Sequence, residues 1–353
     1  MGIDKAELLR RVQNAEPVIE QDFTGMALEG ADLSATLFER CIFDGALLAR
    51  ADLTASQFVR CTMARADLSG CTVSGTTFFE SRFERTVMAG ARLNNATFFE
   101  CDIDGLALGE SVLDFVTFSQ CRVDKVLLRG ARLEKVTLAG CGIGVVDFSG
   151  AALERSALLE CDLRQCRFEG TLFSNVVLVK SNLAGKRFAG QRFVNTQFID
   201  ADLTGCDFSD AHIAQANFQG AKLADSVFER AHAPNAIFMA ADLSSARFDK
   251  AVLRQALFVG ARAPGASFAG ADLYQSNWAN AVLPGSSLAG CELTYADFSH
   301  ADLANVDLRG AVMFRANLHA VKDPGARYTD RVRALESNPE LLAAEQWQPV
   351  PIS

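Results

Sequence analysis

Residues 201–220 read ADLTGCDFSDAHIAQANFQG, four pentapeptides in which Leu203, Phe208, Ile213 and Phe218 follow one another at five-residue steps. Two residues before each stands a small side chain: Ala201, Cys206, Ala211 and Ala216. Outward from this stretch the same phase runs from Phe23 to Leu318 through 60 positions without insertion or deletion, 27 of them Leu and 22 Phe. A helix turns every 3.6 residues, so a five-residue apolar phase would walk around it and never hold one face. A repeat this regular means a solenoid.

The small phase is mostly Ala, Cys, Ser, Thr or Val, with exceptions at Gln21, Met26, Leu106, Lys186 and Gln191. All ten cysteines fall on it, which makes them small core residues. Most glycines occupy positions divisible by five, together with Asn95, Asn175, Asn195, Asn235, Asn280 and Asn305. Gly and Asn tolerate positive φ, so this phase is a turn. Each pentapeptide is therefore one short extended edge, with a large and a small side chain inward, closed by a corner.

A longer period of 20 organises the edges. It aligns Phe38, Phe58, Phe78, Phe98 and Phe118, and likewise Thr77, Thr97, Thr117 and Thr137. Cys41 and Cys61 share one column, then Cys101, Cys121, Cys141 and Cys161. Four edges per coil stack each residue on the one 20 positions further on.

Units such as Ala31-Asp32-Leu33, Ala51-Asp52-Leu53, Ala66-Asp67-Leu68, Ala201-Asp202-Leu203, Ala241-Asp242-Leu243, Ala271-Asp272-Leu273 and Ala301-Asp302-Leu303 resemble the A-(D/N)-L-x-x signature of the pentapeptide repeat family. The resemblance covers residues 21–320 and implies an all-β solenoid, a right-handed four-sided parallel β-helix. Fifteen coils at the ~4.8 Å strand spacing predict a length of ~72 Å. Residues 22–33, DFTGMALEGADL, after a short helix and before the F-x-x-C units, are similar to pentapeptide-repeat proteins that accompany bacterial type VI secretion components. That likeness implies an accessory or adaptor role.

Open solenoid ends expose apolar core and unpaired edges, so caps are expected. Residues 1–20 form an N-terminal cap, with Asp4 and Glu7 spaced as a capping box ahead of Leu8, Leu9 and Val12. Residues 321–353 form the C-terminal cap and tail. There Asp323-Pro324-Gly325 breaks the register, Thr329 starts a helical piece carrying Val332 and Leu335, and Asn338-Pro339 starts a second with Leu341, Leu342 and Trp347. Trp347 is expected to cover the last coil, and Pro349 and Pro351 to end the chain in an extended tail.

The 353 residues carry a formal charge of −9, with 49% hydrophobic and 22% charged side chains, an ordinary globular balance. No apolar run reaches the roughly 18 residues of a membrane span. The acid-containing start Met1–Ala6 reads as neither a secretory signal nor, with Ala6, a myristoylation signal, so a cytoplasmic location is expected. A net acidic chain lacks the basic stripes of direct nucleic-acid binding. Four histidines, no C-x-x-C pair and no nucleophile–base or phosphate-loop pattern leave no catalytic site, no metal site and no cofactor to assign. His212 and His232, 20 apart, stack outside as solvated residues.

Two surface features remain. The position just after the apolar centre on one edge reads Val59, Phe79, Phe99, then Leu159, Val179, Ile199, then Met239 and Val259, an outward apolar stripe of the kind that contacts proteins. The second lies between Ala263 and Leu308, where the charged residues are Asp272, Glu292, Asp297, Asp302 and Asp307 with no Lys or Arg, alongside Tyr274 and Tyr295. The stripe predicts a non-catalytic scaffold or adaptor whose partner is another protein or a second copy of itself in a homodimer. The acidic segment carries the alternative. Some members of the family are acidic DNA mimics that bind DNA gyrase and related type II topoisomerases and give quinolone protection, and mimicry predicts acids along one continuous face.

Overall fold

The computed structural model describes residues 3–347. They form a parallel β-solenoid of about 16 turns with two short helices. Every strand pairing is parallel, and Val18 pairs with Phe38, Leu37 with Gln57 and Thr77 with Thr97, so one coil is four pentapeptides. Two compact units divide the chain, Met1–Asn182 and Leu183–Ser353.

The corner chemistry follows from one backbone feature. At Phe23–Met26 the Met26 amide donates to the Phe23 carbonyl at 3.0 Å and Gly25 has φ 66, a type II turn. The same position turns left-handed at Arg50 (φ 60), Glu80 (φ 48) and Lys250 (φ 60), where a Cβ makes that conformation costly by about 1–2 kcal/mol. Regular stacking outweighs the cost, because each corner amide is also claimed by the next coil, as when Gly25 donates to Asp44 at 2.9 Å. β-Branched Val145 does not adopt positive φ. There Asp124 Oδ1 accepts the Val145 amide at 2.8 Å, and the neighbouring Asp147 is buried against Arg129.

Inward small residues close the wall from inside. Ser56 Oγ donates to the Leu33 carbonyl at 2.6 Å, Thr76 to Leu53 at 2.7 Å, and the Cys41 and Cys101 thiols to Val18 and Phe78 at 3.3 Å each. Cys, Ser and Thr are interchangeable at this phase because each offers a short donor to the same kind of carbonyl. All ten cysteines are buried and unbridged.

In the first unit, Phe38, Phe58, Phe78, Phe98 and Phe118 stack with centroids 4.6–5.1 Å apart. The second unit has two such ladders. Phe198, Phe218, Phe238 and Phe258 stack at 4.9–5.0 Å and continue through Trp278 to Phe298, while Phe208, Phe228, Phe248 and Phe268 stack at 4.5–4.9 Å. Across the second unit's core the ladders meet edge to face, as at Phe238–Phe248 (89°).

Both ends of the ladder reach beyond the predicted register. Val18, five residues before Phe23, is buried and already paired, so the coil count exceeds 15. Helix α1 (Lys5–Gln13) precedes it, with Asp4 accepting the Glu7 amide at 2.9 Å and Leu8 buried. At the other end Asp323-Pro324-Gly325 is one more corner rather than a break, since Gly325 has φ 75 and Asn305 donates to the Pro324 carbonyl at 2.9 Å. No helix starts at Thr329. Arg327–Tyr328 pairs with Asp307–Leu308, the Thr329 hydroxyl accepts the Gly310 amide at 2.8 Å, and Leu335 pairs with Asn317, so these residues extend the solenoid. Val332 is 95% exposed. Helix α2 (Pro339–Glu345) begins as predicted, Asn338 Oδ1 accepting the Glu340 and Leu341 amides. Trp347, expected to cover the last coil, is instead 72% exposed, because α2 is held to the last coils by polar contacts and buries none of its own residues. The expected tail at Pro349 and Pro351 lies outside the described residues.

Candidate protein interface

The predicted stripe begins on a parallel sheet of the first unit. Pairing sets Val59 beside Phe79 and Phe79 beside Phe99, and the two Phe rings stack with centroids 5.7 Å apart at 7°. Here a central apolar side chain faces the core while its neighbour faces out, as the strand's period of two demands. Val59, Phe79, Phe99, Leu159 and Val179 are all half-buried rather than fully exposed, each shielded by the coil above and below; in the second unit so are Ile199, Met239 and Val259. Neither run is unbroken. Ser119 and Ala139 interrupt the first, and Gln219 the second. Beside the Val59–Phe79 step, Arg60 and Glu80 form an ion pair at 2.6 Å, and Thr77 and Thr97 line the other flank.

Sequence reasoning missed the more exposed apolar positions. Leu47, Val87 and Leu127 are 37–46% exposed and occupy one edge column, paired through Asp67 and Ala107. Leu172 is 62% exposed. All four precede a centre, where Asp and Thr are common, so the available signal was a large apolar residue in the polar phase.

The acidic segment does not form one face. Asp272 and Glu292 pair on one edge, whereas Asp297, Asp302 and Asp307 pair on the other three, with Asn277, Val282 and Ser287 respectively. Their oxygens are also engaged by the backbone: Asp297 accepts the Ser299 amide at 2.9 Å, Asp302 that of Ala304 at 3.0 Å and Glu292 that of Thr294 at 2.8 Å. Arg254 pairs with Asp272 at 2.9 Å. Arg309 pairs with Asp307 at 2.7 Å, and its hydrogen bonds hold that carboxyl below the ordinary range. Tyr274 stands edge-on to Tyr295 at 6.1 Å, and Tyr295 continues to Phe314 at 5.9 Å.

Burial pushes the thiols of Cys71, Cys161, Cys206 and Cys291 up to about 12, which keeps them protonated and poor as nucleophiles or metal ligands. His212 and His232 pair as expected, rings 5.9 Å apart and exposed. Among the described residues, three potential ligands converge at one place instead: His300, His319 and Glu345.

Family models complete the assignment. The pentapeptide repeat model matches residues 22–54, 46–85, 66–105, 236–273, 266–303 and 291–322, and a pentapeptide repeat region model matches residues 143–218. The chain belongs to the pentapeptide repeat family. No curated protein matches it. Among solved structures it is similar to HetL, a pentapeptide repeat protein involved in heterocyst differentiation regulation from Nostoc sp. strain PCC 7120. That match has 18% identity, covers 94% of this chain and 99% of that one, and has TM-score 0.16. QnrB1, a plasmid-mediated fluoroquinolone resistance protein, has 15% identity over 65% of this chain and 89% of its own, TM-score 0.20. A pentapeptide repeat protein of the Arabidopsis thaliana thylakoid lumen has 21% identity over 37% and 71%, TM-score 0.17. At these scores the family membership rests on the register and the family models. No helix among the described residues is long and apolar enough to cross a membrane.

Proposed function

We propose that this protein is a non-catalytic interaction scaffold that docks a protein partner, or a second copy of itself, through the sheet face carrying Val59, Phe79 and Phe99. The observation that carries this reading is the pair of Phe rings stacked outside the wall at 5.7 Å, flanked by the Arg60–Glu80 ion pair. An apolar centre inside a polar rim is the anatomy of a contact surface. Leu159 and Val179, and in the second unit Ile199, Met239 and Val259, extend the same phase. Flat repeated faces suit partners better than they enclose substrates. The resemblance of residues 22–33 makes a type VI secretion component the partner class to try first, with the scaffold in the cytoplasm.

The DNA-mimic alternative draws less support, because its acids are divided among four edges and tied to corner amides or arginines. The test is Phe79→Asp with Phe99→Asp, and a milder Phe79→Thr with Phe99→Thr pair, followed by solution mass and capture of secretion components. Wild type is expected to self-associate or retain such a component, and both double variants to stay folded by circular dichroism and lose it. Unchanged association in both folded variants would overturn the reading. Capture of gyrase subunits displaced by duplex DNA would replace it with mimicry.

A further inference from the structure

Helix α2 is poorly held by apolar contact. It buries none of its seven residues, and Leu341 is 48% exposed. What meets the last coils is polar: Ser337 Oγ accepts the Ala320 amide at 2.9 Å, and Glu345, the final helical residue, reaches two histidines. His300 sits at a corner with φ 60, and its amide donates to the His319 carbonyl at 2.8 Å, so neighbouring coils deliver both rings to one spot. The rings lie 5.4 Å apart and nearly perpendicular, at 83°.

We propose that His300, His319 and Glu345 bind a divalent transition-metal ion, zinc before others, which fastens α2 to the solenoid end of the second unit. Glu345 Oε2 lies 3.1 Å from His319 Nε2 and Oε1 lies 3.5 Å from His300 Nε2, and all three ligand atoms fall within 4.8 Å of one another. A tetrahedral ion with bonds of about 2.0–2.1 Å sets its ligand atoms about 3.3–3.4 Å apart, and the two His–Glu separations, one to each carboxylate oxygen, are close to that spacing. Two imidazoles with one carboxylate suit zinc rather than magnesium or calcium, which take oxygen ligands. His319 is 5% exposed, which fixes its ring, while the fourth position faces a cleft of about 490 Å³ that includes Ser299 and Asn317, with room for water.

The metal has one local competitor. Without it, His319 accepts the Asn338 amide on Nδ1 at 3.2 Å and carries its proton on Nε2, toward Glu345. Ligation through Nε2 moves that proton to Nδ1 and sets it against the Asn338 N–H. Metal uptake therefore displaces the start of α2 slightly while gripping its end, and the affinity is reduced by that cost.

Zinc titration of the full chain by calorimetry, with cobalt(II) absorption alongside, tests the site. One zinc per chain is expected, with visible cobalt bands and no thiolate charge-transfer band in the near ultraviolet. Glu345→Gln and His300→Asn, the latter tolerant of positive φ, should each weaken zinc by at least about tenfold. His212→Ala should leave it unchanged. No uptake by folded wild type, uptake equally tight in both site variants, or a thiolate band showing that the ten cysteines hold the ion would each overturn the proposal.

Discussion

The two units use one five-residue pattern to build walls of different texture. In the first, edges such as Thr77–Phe79, Thr97–Phe99 and Thr117–Ser119 are three-residue strands in an eight-stranded sheet, and the outward positions carry Thr, Arg and Val. In the second, nearly every edge is a single bridge between tight corners. Corners in both units share one side-chain device before the centre. Asp or Asn there accepts the amide two residues on, as Asp242 does from Ser244 (3.1 Å) and Asp202 from Thr204 (3.1 Å), drawing the chain into the turn. The cores differ as well. Ala at the small phase leaves room for two Phe ladders in the second unit, whereas in the first Val126 and Val136 precede leucine centres and, with Val146, line an apolar cavity of about 20 Å³ beside Phe118 and Leu138.

Three substitutions would break or sharpen this contrast. Phe238→Ala, which removes a ring stacked on both sides and met edge-on by the opposite ladder, is expected to cost about 3–5 kcal/mol. Phe118→Ala, beside the cavity, should cost clearly less because fewer contacts are lost. Urea unfolding of both variants checks the order, and equal losses would mean the two cores are packed alike. Filling the void comes next: Leu138→Phe extends the Phe118 column and should raise stability by about 1 kcal/mol, read from the same denaturation midpoint. A drop would show that the wall there cannot accept a ring.

The smallest effect belongs to the corner caps. Asp242→Ala should cost about 1 kcal/mol, and Thr97→Ala, whose hydroxyl caps no corner, less. Hydrogen bonds also hold the Asp22, Asp32 and Asp307 carboxyls below their ordinary values. A carboxyl depressed in the folded state adds stability above its unfolded value, near 3.9, and loses it as pH falls through the folded value. Melting temperature should therefore fall on acidification below about pH 4.

Much of this was legible in the chain alone. The inward Leu/Phe phase, the turn phase at multiples of five and the four-edge coil follow from Phe23 through Leu318, because a repeat of fixed length leaves one way to bury its large side chains. The ends were harder to read. Thr329 and Val332 look like a helix start, yet another coil was available to pair with, and backbone pairing outweighed local propensity. The stripe's position was readable from the strand's alternation, but its half-burial was not, since each residue is shielded by side chains 20 positions away.

Sequence by itself determined the repeat, the core and the corners, since those depend on spacing within five residues and on stacking at 20. Tertiary structure alone decided which outward residues meet. It divided five acids among four edges, stacked Phe79 on Phe99, and brought Glu345 from a terminal helix to His300 and His319. Those encounters depend on how coils and cap fold in three dimensions, which no period in the sequence encodes.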